Sequence, residues 1–248
     1  MKKAVILTFI VVLMWGCSGG ENTLLMAPEE HYSYAQSLYQ KHDYQEAILQ
    51  FQSILLQYPG SAINDDSQYY LGMSYFNREE YLLAAYEFSK LIRDIPASTY
   101  VPDSQYMLAD CYYELSPDYR LDQTYTEKAI QEFQAFIDYF PLNERVDEVE
   151  KKIIELNDKL AKKLYGSAVI YRKMSYNRAA IKYFGLVENT YHDTPYGPKA
   201  LYDKIQLEID MDMTAEAKKD IEQFLIRYPD DDNAKDVQGM EETLLSAK

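Results

Sequence analysis

Glycine, proline, cysteine and basic residues are all scarce in this chain of 248 residues. Gly and Pro occur only nine times each, beside 25 tyrosines, and this balance excludes a turn-rich β protein and favours long helices. The 40 acidic residues outnumber the 25 Lys and Arg, so the formal net charge is −15. Such a chain does not attract phosphate backbones, and no nucleic acid is expected as a partner. The hydrophobic content of 47% excludes wholesale disorder.

The sequence also has no motif that carries chemistry. It contains no GxSxG, GxxxxGK[ST], GxGxxG or HExxH pattern. The histidines His31, His42 and His192 are scattered, so a metal site is not expected. Besides Cys17 there is only Cys111, whose apolar helical surroundings are typical of a small core residue. We therefore expect a protein with no catalytic residues, no cofactor and no metal.

The first seventeen residues have the order of a bacterial lipoprotein signal. Two lysines precede an apolar stretch at 4–13, which is too short for a permanent transmembrane helix and suits a signal peptide. Gly16 then precedes Cys17, a placement that resembles the lipobox of lipoproteins. The pattern predicts that residues 1–16 are removed and that Cys17 carries the acyl chains that anchor the protein to a membrane. An uncleaved anchor, or an ordinary signal peptide with an incidental cysteine, is the alternative.

Five copies of one pattern follow this segment. Each copy has a small or apolar residue, then an alanine twelve positions later, then a proline twelve positions after that. Two copies depart from it, since the third has eight extra residues before its alanine and the fourth has His192 in place of proline. The alanines are Ala47, Ala84, Ala129, Ala180 and Ala217. Apolar residues four and seven positions after each alanine form one stripe on a helix face.

This spacing is the helix–turn–helix signature of the tetratricopeptide repeat. We therefore predict an all-α protein, built as a right-handed superhelical solenoid of five tetratricopeptide-like helix pairs. Residues 144–173 contain no Pro and a single Gly, which predicts one long helix between the third and fourth pairs. The predicted parts are a flexible tether at 17–27, repeats one to three at 28–143, and the long helix with repeats four and five at 144–248. The tail after Asn233 is expected to form a short capping helix.

Aromatic residues recur in the first helix of each pair, which lines the concave face of such a solenoid. Tyrosine stands three positions before the small position in every copy, and Tyr39, Phe76 and Tyr113 stand four positions after it in the first three. Two interpretations stay open: the rings fill gaps between helices, or they form a groove for a peptide. The second is favoured for Tyr39, Phe76 and Tyr113. The candidate groove residues are Tyr32, Tyr39, Tyr69, Phe76, Tyr106 and Tyr113.

The two halves of the predicted concave face differ in charge. Acidic residues surround the aromatic positions of the first three repeats, namely Glu29, Asp66, Asp103, Asp110 and Glu114. The fourth and fifth repeats have basic groups instead, which indicates that the two halves bind different things. Arg172, Lys173 and Lys199 are the candidate residues for docking a partner protein.

Taken together, these features resemble the BamD family, also called YfiO or ComL, of outer-membrane β-barrel assembly lipoproteins. The most similar stretch is LDQTYTEKAIQEFQAFIDYFP at 121–141, with further similarity in YYLGMSY at 69–75 and DYQEAILQFQSILLQYP at 43–59. The resemblance implies a non-enzymatic adaptor that is lipid-anchored in the outer membrane and faces the periplasm.

The resemblance also implies the partners. A BamA-like barrel subunit is expected at the C-terminal repeats and unfolded outer-membrane proteins at the N-terminal repeats, together with other lipoproteins of the assembly machinery. The alternative is a periplasmic repeat scaffold for cell-wall or division machinery. A lipoprotein associated with an enzyme that performs the chemistry is a third possibility.

Overall fold

The computed structural model describes residues 26–246, and every regular element in that range is an α-helix. The described residues therefore do not include the predicted signal peptide at 1–16, the predicted lipid site Cys17 or most of the tether. Eleven helices follow within the range, and each packs against the next along the chain. They are α1 Pro28–Gln40, α2 Tyr44–Gln57, α3 Asn64–Asn77, α4 Tyr81–Asp94, α5 Val101–Glu114, α6 Thr124–Tyr139, α7 Val146–Lys173, α8 Asn177–Thr190, α9 Tyr196–Asp210, α10 Thr214–Arg227 and α11 Ala234–Ser246.

The predicted helix pairs are present and have the predicted register. The five anchoring alanines are fully buried, and so are the apolar residues four positions after them, Phe51, Phe88, Phe133, Phe184 and Ile221. This stripe buries the second helix of each pair against the first, because residues at this spacing share one helix face. The prediction of an all-α chain of helix pairs is therefore confirmed.

In four of the five pairs, the same kind of three-residue turn connects the first helix to the second. Its middle residue has a positive φ of 58° to 62° and is His42, Glu79, Ser175 or Asp212. The next backbone N–H reaches back to the carbonyl five positions earlier, as in Asp43 N–H to Leu38 O at 2.9 Å. This left-handed C-terminal cap satisfies carbonyls at the end of the first helix and turns the chain back onto it. The third pair has a longer connection at 115–123 instead.

The predicted long helix is α7, which has 28 residues. Val149 and Leu156 in its first half are fully buried and complete the apolar cluster of the first three pairs. Ala168 in its second half belongs to the next cluster, with Phe184 of α8. One continuous helix therefore takes part in the cores of both halves of the solenoid.

The predicted capping helix is α11. Its Val237 is fully buried and packs in a third apolar cluster with Ile221 and Phe224 of α10. This helix covers the apolar side of the last pair, as the terminal repeat of a solenoid requires. Across residues 26–246, none of the helices combines the length and the hydrophobicity needed to cross a bilayer.

Candidate protein-binding surface

Three aromatic side chains occupy equivalent places in successive repeats. Tyr39, Phe76 and Tyr113 lie in the last turns of α1, α3 and α5, and each is half-buried. The ring of Tyr39 packs edge-on against Tyr70 at a centroid distance of 5.2 Å, and that of Phe76 against Tyr81 at 5.3 Å. Edge-to-face contacts of this kind fix the rings in place. We call Tyr39, Phe76 and Tyr113 the aromatic row, since part of each ring is accessible to a ligand.

The other three candidate groove tyrosines contact rings between successive first helices. Tyr69 stacks on Tyr100 with ring centroids 4.5 Å apart, and Tyr32 lies 6.5 Å from the ring of Tyr70. Tyr106 is only 9% exposed. The ring contacts of these three tyrosines fit the gap-filling alternative, while Tyr32 and Tyr69 are half-buried like the aromatic row and share its accessible aromatic surface.

A lysine enclosed by aromatic rings holds α7 against α5. The ammonium of Lys152 lies 5.2 Å from the ring centroid of Tyr106, 4.8 Å from that of Tyr113 and 5.5 Å from that of Phe133. It also donates a hydrogen bond to Asp110. Burial lowers the pKa of Lys152, but the hydrogen bond and charge of Asp110 outweigh this and raise it. The lysine is therefore charged, and the ring faces attract it.

Two tyrosine hydroxyls add to this interface. Tyr106 donates to Glu148 at 2.7 Å and Tyr113 donates to Glu155 at 2.8 Å. Burial, followed by the hydrogen bond to Glu148, raises the pKa of Tyr106 to about 12, so the hydroxyl keeps its proton. The sequence did not signal these contacts, because their partners stand 42 positions apart.

The acidic residues around the aromatic row are of two kinds. Asp66, Asp103 and Asp110 each accept a hydrogen bond from a side chain of a neighbouring repeat or of the α7 region. Glu29 and Glu114 are exposed. Basic partners offset the charges of Asp103 and Asp110, whereas Asp66, whose partner is a neutral hydroxyl, and the two exposed glutamates have no such partner here.

The three predicted docking residues differ in their surroundings. Arg172 donates to Asp203 at 2.7 Å, and the Asp203 side chain is only 12% exposed, so this guanidinium is engaged within the fold. Lys173 is exposed at the end of α7. Lys199 is exposed near the start of α9, with its ammonium 5.4 Å from the ring centroid of Tyr196.

Lys199 also lines a cleft of about 510 Å³ that the sequence did not reveal. We call this the lysine cleft; its walls are the α5–α6 connection, α7 and the start of α9. The residues that matter below are Lys159, Lys162, Lys199, Tyr119 and Tyr196. Arg172 and Lys173 are not among its lining residues. Three elements distant in sequence meet here, so no local pattern could have indicated the cleft.

The remaining candidate groups are separate from one another. His31 is buried and hydrogen-bonded to Gln50 at 2.8 Å, His42 contacts Tyr44, and His192 is exposed. Among residues 26–246, no three His, Cys, Asp or Glu side chains are grouped so that they could hold a metal ion. Cys111 is fully buried, and burial raises the pKa of its thiol, which confirms its interpretation as a core residue.

Several solved structures are similar to this chain. A thermophilic tetratricopeptide-repeat protein of Thermus thermophilus is 16% identical, with a TM-score of 0.37, and the match covers 88% of this chain and 99% of that one. The TPR2AB domain of yeast Sti1, in a complex with pHSP90, is 13% identical, with a TM-score of 0.43 and coverage of 89% and 83%. A tetratricopeptide-repeat protein from Parabacteroides merdae is 14% identical, with a TM-score of 0.41 and coverage of 88% and 87%.

The sequence comparisons identify the family. A search of curated proteins gives no significant match. The family model of YfiO, described as an outer membrane lipoprotein, matches residues 25–220. That range contains the aromatic row, α7 and the lysine cleft, and it is well over half of the chain. The chain therefore belongs to the YfiO family of outer membrane lipoproteins.

Proposed function

We propose that this protein is a non-enzymatic adaptor of the outer-membrane β-barrel assembly machinery. The family match over residues 25–220 carries this proposal, and a solenoid with an accessible aromatic row supports it. In this proposal Cys17 is the lipid anchor, and the solenoid faces the periplasm from the outer membrane. Acyl chains at Cys17 are enough for stable attachment, since one chain alone gives only reversible binding and two exceed that range.

The N-terminal repeats are the proposed site for unfolded outer-membrane proteins. Strands of these proteins alternate apolar and polar side chains, with aromatic residues near the membrane interfaces. The aromatic row offers three rings at a repeating interval, and each is fixed by contacts with its own or the next helix pair. Fixed aromatic side chains bind apolar residues at little entropic cost. An extended apolar segment is thus the ligand that suits this surface.

The C-terminal repeats are the proposed site for the BamA-like barrel subunit and for other lipoproteins of the machinery. Lys173 and Lys199 are both exposed there, in a chain that is otherwise strongly acidic. Charge complementarity of this kind favours one partner over others and speeds its association. Arg172 contributes indirectly, because its ion pair with Asp203 links α7 to α9 and so fixes the surface.

Peptide titration tests the aromatic row. We expect Tyr39→Ala, Phe76→Ala and Tyr113→Ala each to weaken binding of a fluorescent barrel C-terminal peptide by roughly 1–2 kcal/mol, the range for aromatic contacts outside the central anchor. The matched control is Tyr86→Ala, which removes a 59% exposed tyrosine of α4 outside the row. A thermal melt of each variant checks folding. If the three row variants bind like wild type while folded, the row is not the substrate site.

Co-purification tests the partner assignment. The lipid-anchored chain, extracted from outer membrane with detergent, is expected to bring down a BamA-like barrel protein. Recovery of peptidoglycan synthases in its place would argue for the cell-wall scaffold alternative. The intact mass of the same preparation reports on Cys17, because a chain that still carries residues 1–16 or a free Cys17 thiol contradicts the proposed anchor.

A further inference from the structure

Three lysines of the lysine cleft form no ion pair with any residue in the range 26–246. Lys159 donates a hydrogen bond to the hydroxyl of Ser116 at 2.8 Å. The ammonium of Lys162 lies over the ring of Tyr119 at 4.4 Å, and Lys199 lies near Tyr196. By contrast, several lysines and arginines at other helix contacts are paired with carboxylates, namely Arg145, Lys152, Arg172, Lys204 and Arg227.

Three acidic residues line the same cleft, and within residues 26–246 none of them lies within ion-pair distance of the three lysines. Glu155 accepts a hydrogen bond from a tyrosine hydroxyl. Asp118 accepts from the side chain of Arg120 at 2.8 Å and from its backbone N–H at 3.0 Å. Burial, followed by the charge of Asp193, raises the pKa of Asp158. Each of the three ammonium groups is therefore without a carboxylate partner among residues 26–246 and can form an ion pair with a ligand.

One wall of the lysine cleft is held in place before any ligand arrives. Gln123 is only 5% exposed, and its amide donates to the carbonyls of Asp118 at 2.9 Å and Leu121 at 3.0 Å. Lys163 of α7 donates to the same carbonyl of Leu121 at 2.5 Å. These contacts fix the α5–α6 connection against α7, so binding does not have to order it.

We propose that the lysine cleft binds an acidic peptide segment of a partner protein, an extended stretch in which carboxylate side chains flank an apolar residue. The ammonium groups of Lys159, Lys162 and Lys199 match the carboxylates, and the rings of Tyr119 and Tyr196 match the apolar residue. The cleft is open to solvent, and its volume of about 510 Å³ is in the range of ligand-binding clefts. This inference rests on the proposed function, because it specifies the chemistry of a segment that docks on the C-terminal half.

The probe is a fluorescein-labelled octapeptide of alternating Glu and Leu with an amidated C-terminus, titrated into the chain lacking residues 1–16 at low salt. We expect it to bind at least about tenfold more tightly than the same peptide with Gln in place of Glu, and to weaken as salt screens the charges. Equal binding of the Glu and Gln peptides would overturn the proposal. A third peptide, with Gln side chains and a free carboxyl terminus, tests whether the cleft recognises a terminal carboxylate instead. Tighter binding of this third peptide than of the Glu peptide would also overturn the proposal.

Substitutions of cleft residues then test whether the peptide binds in the lysine cleft. The double change Lys162→Gln and Lys199→Gln alters two side chains that are at least partly exposed and is expected to abolish the preference for the Glu peptide, with an unchanged melt. The matched control is Lys128→Gln, because Lys128 is also exposed and lies 5.3 Å from the ring of Tyr112, outside the cleft. An equal loss with Lys128→Gln would mean general attraction and would overturn the proposal.

The aromatic-row titration keeps this test separate from the proposed function. Tyr39→Ala is expected to leave binding of the acidic peptide unchanged, because Tyr39 is not among the lining residues of the cleft. If the row titration fails while the Glu peptide still needs Lys162 and Lys199, the cleft proposal stands and the aromatic row is not the substrate site. If the row binds the barrel peptide while the cleft variants have no effect on binding of the Glu peptide, the row stands as the substrate site and the cleft proposal is overturned.

Discussion

At the residue scale, the most unusual group is a carboxyl inside the fifth helix pair. Glu208 of α9 is only 2% exposed and lies near Asp220 of α10, with Lys204 placed between them. The single ammonium donates to Asp220 and is 3.8 Å from Glu208, so it serves two acids. Burial, followed by the charge of Asp220, raises the pKa of Glu208 to about 7.

This raised pKa predicts a pH-dependent stability. Glu208 binds its proton more tightly in the folded chain than in the unfolded chain, where its pKa is near the model-peptide value of about 4.3. Its contribution to folding is therefore fully present below about pH 4 and is lost as the pH rises through about 7. We expect Glu208→Gln to be more stable than wild type at pH 8 by roughly 1–3 kcal/mol, given about 1.4 kcal/mol per pKa unit.

The measurement is urea unfolding of wild type and Glu208→Gln at pH 5, 6 and 8. The difference between the two proteins should grow with pH. Glu222→Gln, which changes an exposed acid of the neighbouring helix α10, is the control and should not alter the pH profile. A constant difference between wild type and Glu208→Gln over this range would contradict the assignment.

At the scale of the element, small residues allow neighbouring helices to pack closely. A Cβ added to Gly72 of α3 would lie 2.7 Å from Cε1 of Phe88 in α4, whose side chain is fully buried. The ring has no free space into which to move, because interiors are close-packed. By contrast, a Cβ on Gly166 of α7 would meet no atom within 4 Å.

Substitution by alanine is therefore expected to change the stability of the fold in opposite directions at these two glycines. We expect Gly72→Ala to destabilise the fold by roughly 1–3 kcal/mol through overpacking. Gly166→Ala should stabilise it by roughly 0.5–1 kcal/mol, because alanine favours a helix interior over glycine. Equilibrium unfolding in urea measures both changes. Stabilisation by both substitutions would mean that α3 and α4 move apart freely, contrary to the packing described above.

At the scale of the whole molecule, α7 joins the two halves through shared cores. Its residues Val149 and Leu156 complete the first apolar cluster, beside Phe133 and Phe136 of α6. Each repeat of a solenoid is stabilised mainly by its neighbours. The first three repeats therefore need the first half of α7 and not the helices that follow it.

Truncation tests this division of the chain. We expect a fragment of residues 26–163 to unfold cooperatively, because it keeps Val149 and Leu156 in place. A fragment ending at Asn143 should be several kcal/mol less stable, since two fully buried side chains are lost and each is worth about 1.5–3 kcal/mol. Urea unfolding followed by circular dichroism compares the two. Equal stability would mean that α7 does not belong to the first core.

Much of this architecture is predictable from the sequence, and the reason is local. Helix spacing of apolar residues, prolines after most second helices, and one long interval without proline indicate the pairs, α7 and α11 without reference to distant residues. The left-handed turn residues were missed for a local reason as well. None of the four is glycine, the residue that usually marks such a cap.

The sequence by itself determined the helix pairs, their register and the buried stripe, because a periodicity of 3.6 residues decides which side chains share a face. Only the tertiary structure decided which partners the basic side chains of α7 and α9 have. Arg172 is paired with Asp203 and Lys152 is enclosed by aromatic rings, whereas Lys162 and Lys199 have no ion pair within residues 26–246. The partners that make this difference stand 19 to 46 positions away. Their approach depends on how successive pairs stack, which no local pattern encodes.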